Sequence, residues 1–456
     1  MSKAMFESEV EDMCLDMFRK LGYDIVYGPD ISEGGLSEER KYHEVVLVNR
    51  LQLALRRINR SVPDSAIDEA VRKVLRAESQ NLVSNNQDFH RLVTNGVNIQ
   101  YKRADGSIKN ELVWLFDFDN PDNNEFLAIN QFTIIEEHNN RRPDIILFVN
   151  GLPLVLIELK NPADENATVW SAYNQLDTYK HLIPSVCRYN EILIISDGWL
   201  AKAGTITSNT ERFTPWKTIQ NQKAPPNTPE IDILIKGMLN KKTLLDLVRH
   251  FIVYEADKDK KDGTVKINKK IAAYQQYNAT NKAITSTIQA TKKDHKAGII
   301  WHTQGSGKSL TMVFYTGKMV LQPELENPTV VVLTDRNDLD DQLFGTFSRC
   351  KELLRQEPKQ AENREQLQEL LKVQSGGIIF TTIQKFFPET GNQYPQLSDR
   401  KNIIVMADEA HRSQYGFGLK IPKNIDKNTL KYGYAKYLRD ALPNATFIAF
   451  TGTPIE

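Results

Sequence analysis

The sequence predicts an α/β protein with two successive domains, the second organised by a parallel sheet. Three observations predict it. From Ile299 onward, short apolar runs alternate with stretches of helical spacing, and each run ends in polar residues. Earlier, two nearly unbroken apolar runs, Ile145–Val149 and Leu154–Ile157, are joined through Asn150-Gly151. Finally, Ile299–Ser309 (IIWHTQGSGKS) carries a glycine-bearing loop from the end of an apolar run into a helical pattern.

A chain of 456 residues holds two or three domains with cores of their own. Lys+Arg and Asp+Glu are both 58, so affinity for nucleic acid must come from local patches rather than net charge. Cys14, Cys187 and Cys350 follow no metal spacing and are expected to be reduced thiols. No apolar run approaches about 18 residues, and the N-terminus lacks a signal-peptide layout, so a soluble, cytoplasmic protein is expected.

In chain order, Phe6, Val10, Met13, Cys14, Met17, Phe18 and Leu21 recur at helical spacing, with Glu7, Glu9 and Glu11 on the polar face. Helices are expected from about Glu39 to Ile58 and from about Ala66 to Leu75. Short β-rich runs follow between Val97 and Thr133.

The Asn150-Gly151 turn predicts an antiparallel hairpin whose strands are buried on both faces. Asp144 opens one strand, and Glu158-Leu159-Lys160 closes the other. Residues two apart share a face of a strand, so Glu158 and Lys160 point together and Asp144 comes close to them. Buried charges must be paired or bind metal. Asp144 and Glu158 suit Mg²⁺, with Lys160 orienting the attacking water or neutralising the transition state; a plain salt bridge is the alternative. Downstream, Trp170, Tyr173 and Leu176 have helical spacing, and Gln175 and Tyr179 share a face of that helix. Glu191–Ser196 reads as the next core strand. Proline-rich residues 214–229 read as linker, Ile231–Tyr254 as connecting helices, and Asp257–Lys270 as a solvated charge run.

In the Ile299–Ser309 stretch, backbone N–H groups and a helix N-terminus are set to hold phosphate. Thr303, Gly305, Ser306, Gly307, Lys308 and Ser309 form its core, although His302 stands where a glycine is usual. Lys308 would reach the β- and γ-phosphates of ATP, and Ser309 would hold Mg²⁺. The remaining runs end at Thr334-Asp335-Arg336, Thr381-Thr382, Asp408-Glu409-Ala410-His411 and Thr451-Gly452-Thr453-Pro454. In a parallel sheet, ligands gather at such carboxyl ends. Asp408 can hold Mg²⁺ through water, and Glu409 can orient the water that attacks the γ-phosphate.

Pro143-Asp144 with Glu158-x-Lys160 resembles the PD-(D/E)xK nuclease core, and Gln175-x-x-x-Tyr179 is similar to the additional motif of RecB-type nucleases. That resemblance implies a restriction-endonuclease-like α/β domain, a role for Gln175 and Tyr179 in placing DNA or the active site, and an N-terminal glutamate near the metal. Glu11 is the candidate, with Glu7 and Glu9 as competitors. The phosphate loop, the Asp-Glu-Ala-His box and Thr-Gly-Thr resemble the first RecA-like lobe of superfamily 2 motors. It implies that Gln276, with Gln275 as alternative, reads adenine, and that His411, Thr451, Gly452 and Thr453 sense nucleotide state.

Nuclease before motor, together with the runs Trp301–Ser309, Val330–Leu343 and Ile378–Phe386, resembles the restriction subunit of type I restriction-modification enzymes. The resemblance implies an ATP- and Mg²⁺-dependent translocase-endonuclease. Such a subunit works on double-stranded DNA with methylation (M) and specificity (S) subunits, cutting unmodified DNA away from the recognition site. It divides the chain into a nuclease domain (1–213), linker and connecting helices (214–268) and a first motor lobe (269–456), with a second lobe expected beyond the sequence. The rival readings are a repair or type III helicase-nuclease and a DNA-binding assembly module whose nuclease is inactive.

Overall fold

The computed structural model describes residues 7–103, 105–161, 168–220, 222–258, 264–303, 305–334, 337–386, 395–408 and 437–452. The chain divides into two compact units, Met1–Tyr274 and Gln275–Glu456.

In the first unit, α1 (Glu7–Lys20) has acidic residues in its first turn and basic ones in its last, which complements the helix dipole. Val10, Cys14, Met17 and Phe18 form its buried stripe. The main sheet comprises β1 (Asp24–Tyr27), β2 (Phe126–Asn130), β3 (Ile145–Val149), β4 (Leu152–Leu159), β5 (Ile192–Ser196) and β6 (Ala201–Gly204), in that spatial order. The β1–β2 and β4–β5 pairs are parallel, and the others are antiparallel. Central β3 and β4 are buried at every position, which is why their sequences are unbroken apolar runs rather than alternating ones. The turn between them is as expected: Asn150 and Gly151 both have positive φ, 50° and 79°. A Cβ on Gly151 would lie 2.5 Å from the Leu47 carbonyl oxygen, so only glycine fits there. Helix α2 (Val169–Leu182) and the short helix Pro184–Arg188 carry the chain from β4 to parallel β5.

Three expectations need correction. The helix anticipated from Glu39 begins only at Val48. Arg40, only 2% exposed, takes the carbonyls of Glu44, Tyr42 and Thr133 and stacks on Phe132 at 3.7 Å, while Glu39 pairs with Arg50. Those carbonyls serve a guanidinium instead of a helical ladder. Second, the connecting helices, Glu230–Gly237 and Lys241–His250, stop before Tyr254, which lies in a strand. Third, the charge run is more than a solvated boundary: Asp257, Val265 and Lys266 are exposed, yet most of its described residues lie in the paired antiparallel strands β7 (Ile252–Lys258) and β8 (Val265–Ile271). Within β8 only Lys269 is buried; Val265 and Lys266 are exposed, and Ile267, Asn268, Lys270 and Ile271 are half-buried. Lys269 is buried and lies 2.7 Å from buried Glu191, whose other partner is His90 at 3.0 Å.

The second unit opens on α3 (Tyr274–Ala290). Its sheet contains β9 (Lys296–Trp301), β10 (Thr329–Thr334), β11 (Lys359–Gln360), β12 (Ile378–Thr382), β13 (Ile403–Asp408) and β14 (Thr446–Thr451). The spatial order is β9-β14-β13-β10-β12-β11, and every pairing is parallel. All carboxyl ends therefore meet at one edge. Val331, Leu333, Ile379 and Val405 pack with Leu367, Leu371 and Leu442 beneath that edge. Each such fully buried aliphatic side chain contributes about 1.5–3 kcal/mol. Among the described residues, no helix is long and apolar enough to cross a membrane, and all three cysteines are free and buried.

Candidate functional site

The first unit brings together the carboxylates and amine expected from the hairpin. Ile145 lies opposite Ile157, so Asp144 and Glu158 stand at neighbouring strand ends. Both are buried, Glu158 completely and Asp144 to 9% exposure. Asp144 Oδ2 accepts the backbone N–H of Leu159 at 2.7 Å. Lys160 Nζ lies 2.9 Å from Glu158 Oε1 and donates also to the Leu159 carbonyl. From α2, the Tyr179 hydroxyl donates to Glu158 Oε2 at 3.2 Å and accepts from Gln175 Nε2 at 2.7 Å. The Gln-x-x-x-Tyr spacing thus gives one continuous chain, Gln175 to Tyr179 to Glu158.

The electrostatics follow from burial. Desolvation pushes the Asp144 carboxyl up to about 6, against the Leu159 N–H and the Lys160 charge. Glu158 is pushed up to about 8 by desolvation and then by Asp144, with Lys160 and Tyr179 opposing. Two buried carboxyls at neighbouring strand ends form an oxygen donor set that fits a hard divalent cation such as Mg²⁺.

Glu7 and Glu9 are exposed, whereas Glu11 is buried. Its two oxygens accept from Asn130 Nδ2 at 2.6 Å and Gln131 Nε2 at 2.8 Å. Among the described residues, no group of three or more His, Cys, Asp or Glu side chains is placed to hold a metal. Glu11 therefore does not complete a three-carboxylate cage with Asp144 and Glu158, although the charge of Glu7 and, after it, that of Glu11 raise the Asp144 carboxyl. Asn130 and Gln131 were invisible to sequence reasoning. They end a β-rich run, and the left-handed backbone of Gln131 (φ 55°) follows no turn pattern.

The second unit gathers its candidates where β9, β13 and β14 end. Gly305 and Gly307 have φ of 81° and 87°, and α4 (Lys308–Met319) starts directly after them with Lys308 and Ser309 in its first turn. Ser306 N–H closes onto the Thr303 carbonyl at 3.0 Å. Lys308 Nζ lies 2.7 Å from Asp408 Oδ1, so the loop lysine and the strand-end carboxylate face the same point. The His302 N–H donates to the Thr451 carbonyl at 2.9 Å, tying the loop to the strand end that Gly452 follows. The His302 ring fills the position usual for glycine, with Nδ1 3.0 Å from Ser306 Oγ. Burial, then the Lys308 charge, lowers its proton affinity and keeps it neutral. Gln276 is buried and donates to the Gly307 carbonyl at 3.1 Å, facing the phosphate loop, whereas Gln275 is exposed. Glu409, His411 and Thr453 lie outside the described residues.

Residues 5–212 match the family described as type I restriction enzyme R protein N terminus, and residues 275–456 match the SWI2/SNF2 ATPase family. The type I restriction enzyme HindI endonuclease subunit of Haemophilus influenzae is 46% identical over 459 residues, covering 99% of this chain and 43% of that protein. The MjaIXP protein of Methanocaldococcus jannaschii is 36% identical over 474 residues, covering 98% and 42%. The chain thus spans less than half the length of these relatives. Among solved structures, the type ISP restriction-modification enzyme LlaBIII bound to DNA is 12% identical, with a TM-score of 0.28 over 44% of this chain and 14% of that one, too slight to establish shared architecture. Residues 5–212 thus belong to the family of the type I restriction enzyme R protein N terminus, and they are joined in one chain to a SWI2/SNF2-type ATPase region.

Proposed function

We propose that residues 1–213 form a Mg²⁺-dependent endonuclease and that residues from 269 onward form the first ATP-hydrolysing lobe of a DNA translocase. In a complex with methylation and specificity subunits, the protein would cut unmodified double-stranded DNA away from the recognition site. The observation that carries the reading is the buried Asp144–Glu158–Lys160 group with Tyr179 on Glu158.

Asp144 and Glu158 would hold Mg²⁺, which supplies Lewis-acid stabilisation of the phosphoryl oxygens when bound. The chain's own residues do the rest. Tyr179 and the Leu159 N–H fix the rotamers of the two carboxylates, so no reorganisation is needed during reaction. Lys160, anchored on Glu158 and the Leu159 carbonyl, orients the attacking water and offsets charge on the phosphorane. In the second unit, Gly305–Ser309 cradle the phosphates of ATP, Lys308 binds the β- and γ-oxygens, and Asp408 and Ser309 hold Mg²⁺. Glu409 orients the hydrolytic water, Gln276 links the adenine side to the loop, and His411 and Thr451–Thr453 report nucleotide state.

Calorimetric titration of Mg²⁺ and Ca²⁺ into this chain and into Asp144→Asn tests the nuclease centre. Binding that the substitution abolishes supports it. Equal binding by both proteins overturns it, and no binding by either favours the assembly module with an inactive nuclease.

A further inference from the structure

Most large apolar side chains of the first unit are buried, yet Trp199 is 56% exposed, Leu200 39% and Trp170 36%. Trp199 and Leu200 do not sit on a loose loop. Asp197 Oδ1 accepts the N–H groups of Trp199 at 3.0 Å and Leu200 at 2.7 Å. Ser196 Oγ accepts from Gly198 at 3.0 Å and donates to the Leu200 carbonyl at 2.8 Å. The Trp199 carbonyl accepts from Glu230 at 2.7 Å. The turn is locked, so ordering it on binding costs little entropy.

Its place is equally defined. Ser196 pairs with Leu159 across parallel β4 and β5, and its carbonyl accepts the Lys160 N–H at 2.9 Å. The turn is therefore bonded to the strand end that carries Glu158 and Lys160. Because β4 and β5 are parallel, the helix joining them starts at the same edge, which places Trp170 there. Lys202, on the adjacent antiparallel β6, holds its Nζ 4.9 Å from the Trp170 ring.

We propose that Trp199, Trp170 and Lys202 form a DNA platform beside the nuclease centre, with Trp199 stacking on a nucleobase near the scissile phosphate and Lys202 meeting the backbone. The proposal rests on the nuclease reading. Aromatics offer sequence-tolerant stacking, and a lysine beside Trp170 matches the polyanion. A chain of zero net charge needs such a local patch to hold DNA. Tolerance of base identity also suits a centre that cuts away from any recognition sequence.

Photocrosslinking with 5-iodouracil-substituted DNA, in Ca²⁺ so that nothing is cut, followed by peptide mapping, tests this on the whole chain. Crosslinks at Trp199 or Trp170 are expected. Trp199→Ala should weaken oligonucleotide binding roughly tenfold, the scale of losing one aromatic–base stack, while Trp199→Phe keeps most of it. Lys202→Ala should lower the salt dependence of binding by about one phosphate contact. Crosslinks confined to residues beyond Gln275, with unchanged affinity of Trp199→Ala, overturn the platform. A loss of crosslinking in which Trp199→Phe behaves like Trp199→Ala also overturns it, as a purely structural effect. Asp144→Ala, scored for cleavage in Mg²⁺ in the full-length, assembled enzyme, serves as the separate control. If it still cuts there, the nuclease assignment fails, while the crosslinks report on the platform independently.

Discussion

The Tyr179 hydroxyl donates to Glu158 Oε2 at 3.2 Å while Lys160 Nζ lies 2.9 Å from Oε1, so both oxygens of a fully buried carboxylate are engaged from opposite elements. The helix partner can be removed without touching the strand partner. Tyr179→Phe keeps the ring in the core and deletes only the hydroxyl. DNA cleavage should fall about 10–100-fold in kcat, the scale for losing an outer partner of a metal-binding carboxylate, with KM for DNA and ATP hydrolysis unchanged. Unchanged kcat would dissociate the Gln175–Tyr179 pair from the site.

Burial of Glu158 gives a pH signature with a definite sign. Its folded carboxyl, pushed up to about 8 from an ordinary 4.5, binds a proton more tightly than the unfolded chain does. The metal-free protein should therefore lose stability from this group as pH rises from about 4.5 to about 8, and Asp144 should add a loss below about 6. Glu158→Gln should remove its share, so melts in EDTA should show the variant gaining on the wild type as pH rises. A variant that loses ground as pH rises would contradict the electrostatics.

Gly307→Ala meets two obstacles at the phosphate loop. The residue has φ 87°, and a Cβ would lie 2.7 Å from Gln276 Nε2. Gly305 has φ 81° with open space around it. Both alanine variants should carry backbone strain of about 1–3 kcal/mol, and only Gly307→Ala should also dislodge Gln276. Nucleotide titration beside thermal melts would show the greater loss of ATP affinity in Gly307→Ala; equal losses would remove Gln276 from the loop's support.

The Lys269–Glu191 pair, 2.7 Å apart and buried with His90 and Asn190, ties β8 to the start of β5. Lys269→Met leaves a buried carboxylate without its ammonium and should cost about 3–5 kcal/mol, whereas Lys269→Met with Glu191→Gln should cost less than the two single changes together. Denaturant melts of the four proteins give the coupling, and simple additivity would mean the pair is no brace.

The parts of the fold that were legible in the sequence are those where one local rule acts alone. Asn150-Gly151 marked the hairpin, and with it the approach of Asp144 to Glu158, because such a turn joins adjacent antiparallel strands; the register shift between Leu147 and Phe148, which sets Ile145 opposite Ile157, was not legible. Gly305–Ser309 and the strand-end polar residues marked a parallel sheet for the same reason. Long-range side-chain traffic was not legible. Arg40 took the carbonyls of a stretch with helical spacing, Lys269 left a charge run for a buried pairing with Glu191, and Asn130 and Gln131 held Glu11 from a distant part of the chain. None of these has a sequence period, since each depends on a partner brought close only by the fold.

The proposed function joins, on one chain, a nuclease to the motor that licenses it. The most direct test compares Asp144→Ala with Lys308→Ala in the full-length, assembled enzyme, scoring triplex displacement for movement and plasmid cleavage for cutting. Asp144→Ala should move on DNA without cutting it, and Lys308→Ala should do neither, although Asp144, Glu158 and Lys160 are intact in it. If Lys308→Ala cuts DNA at the wild-type rate, the two units are independent enzymes and the account fails.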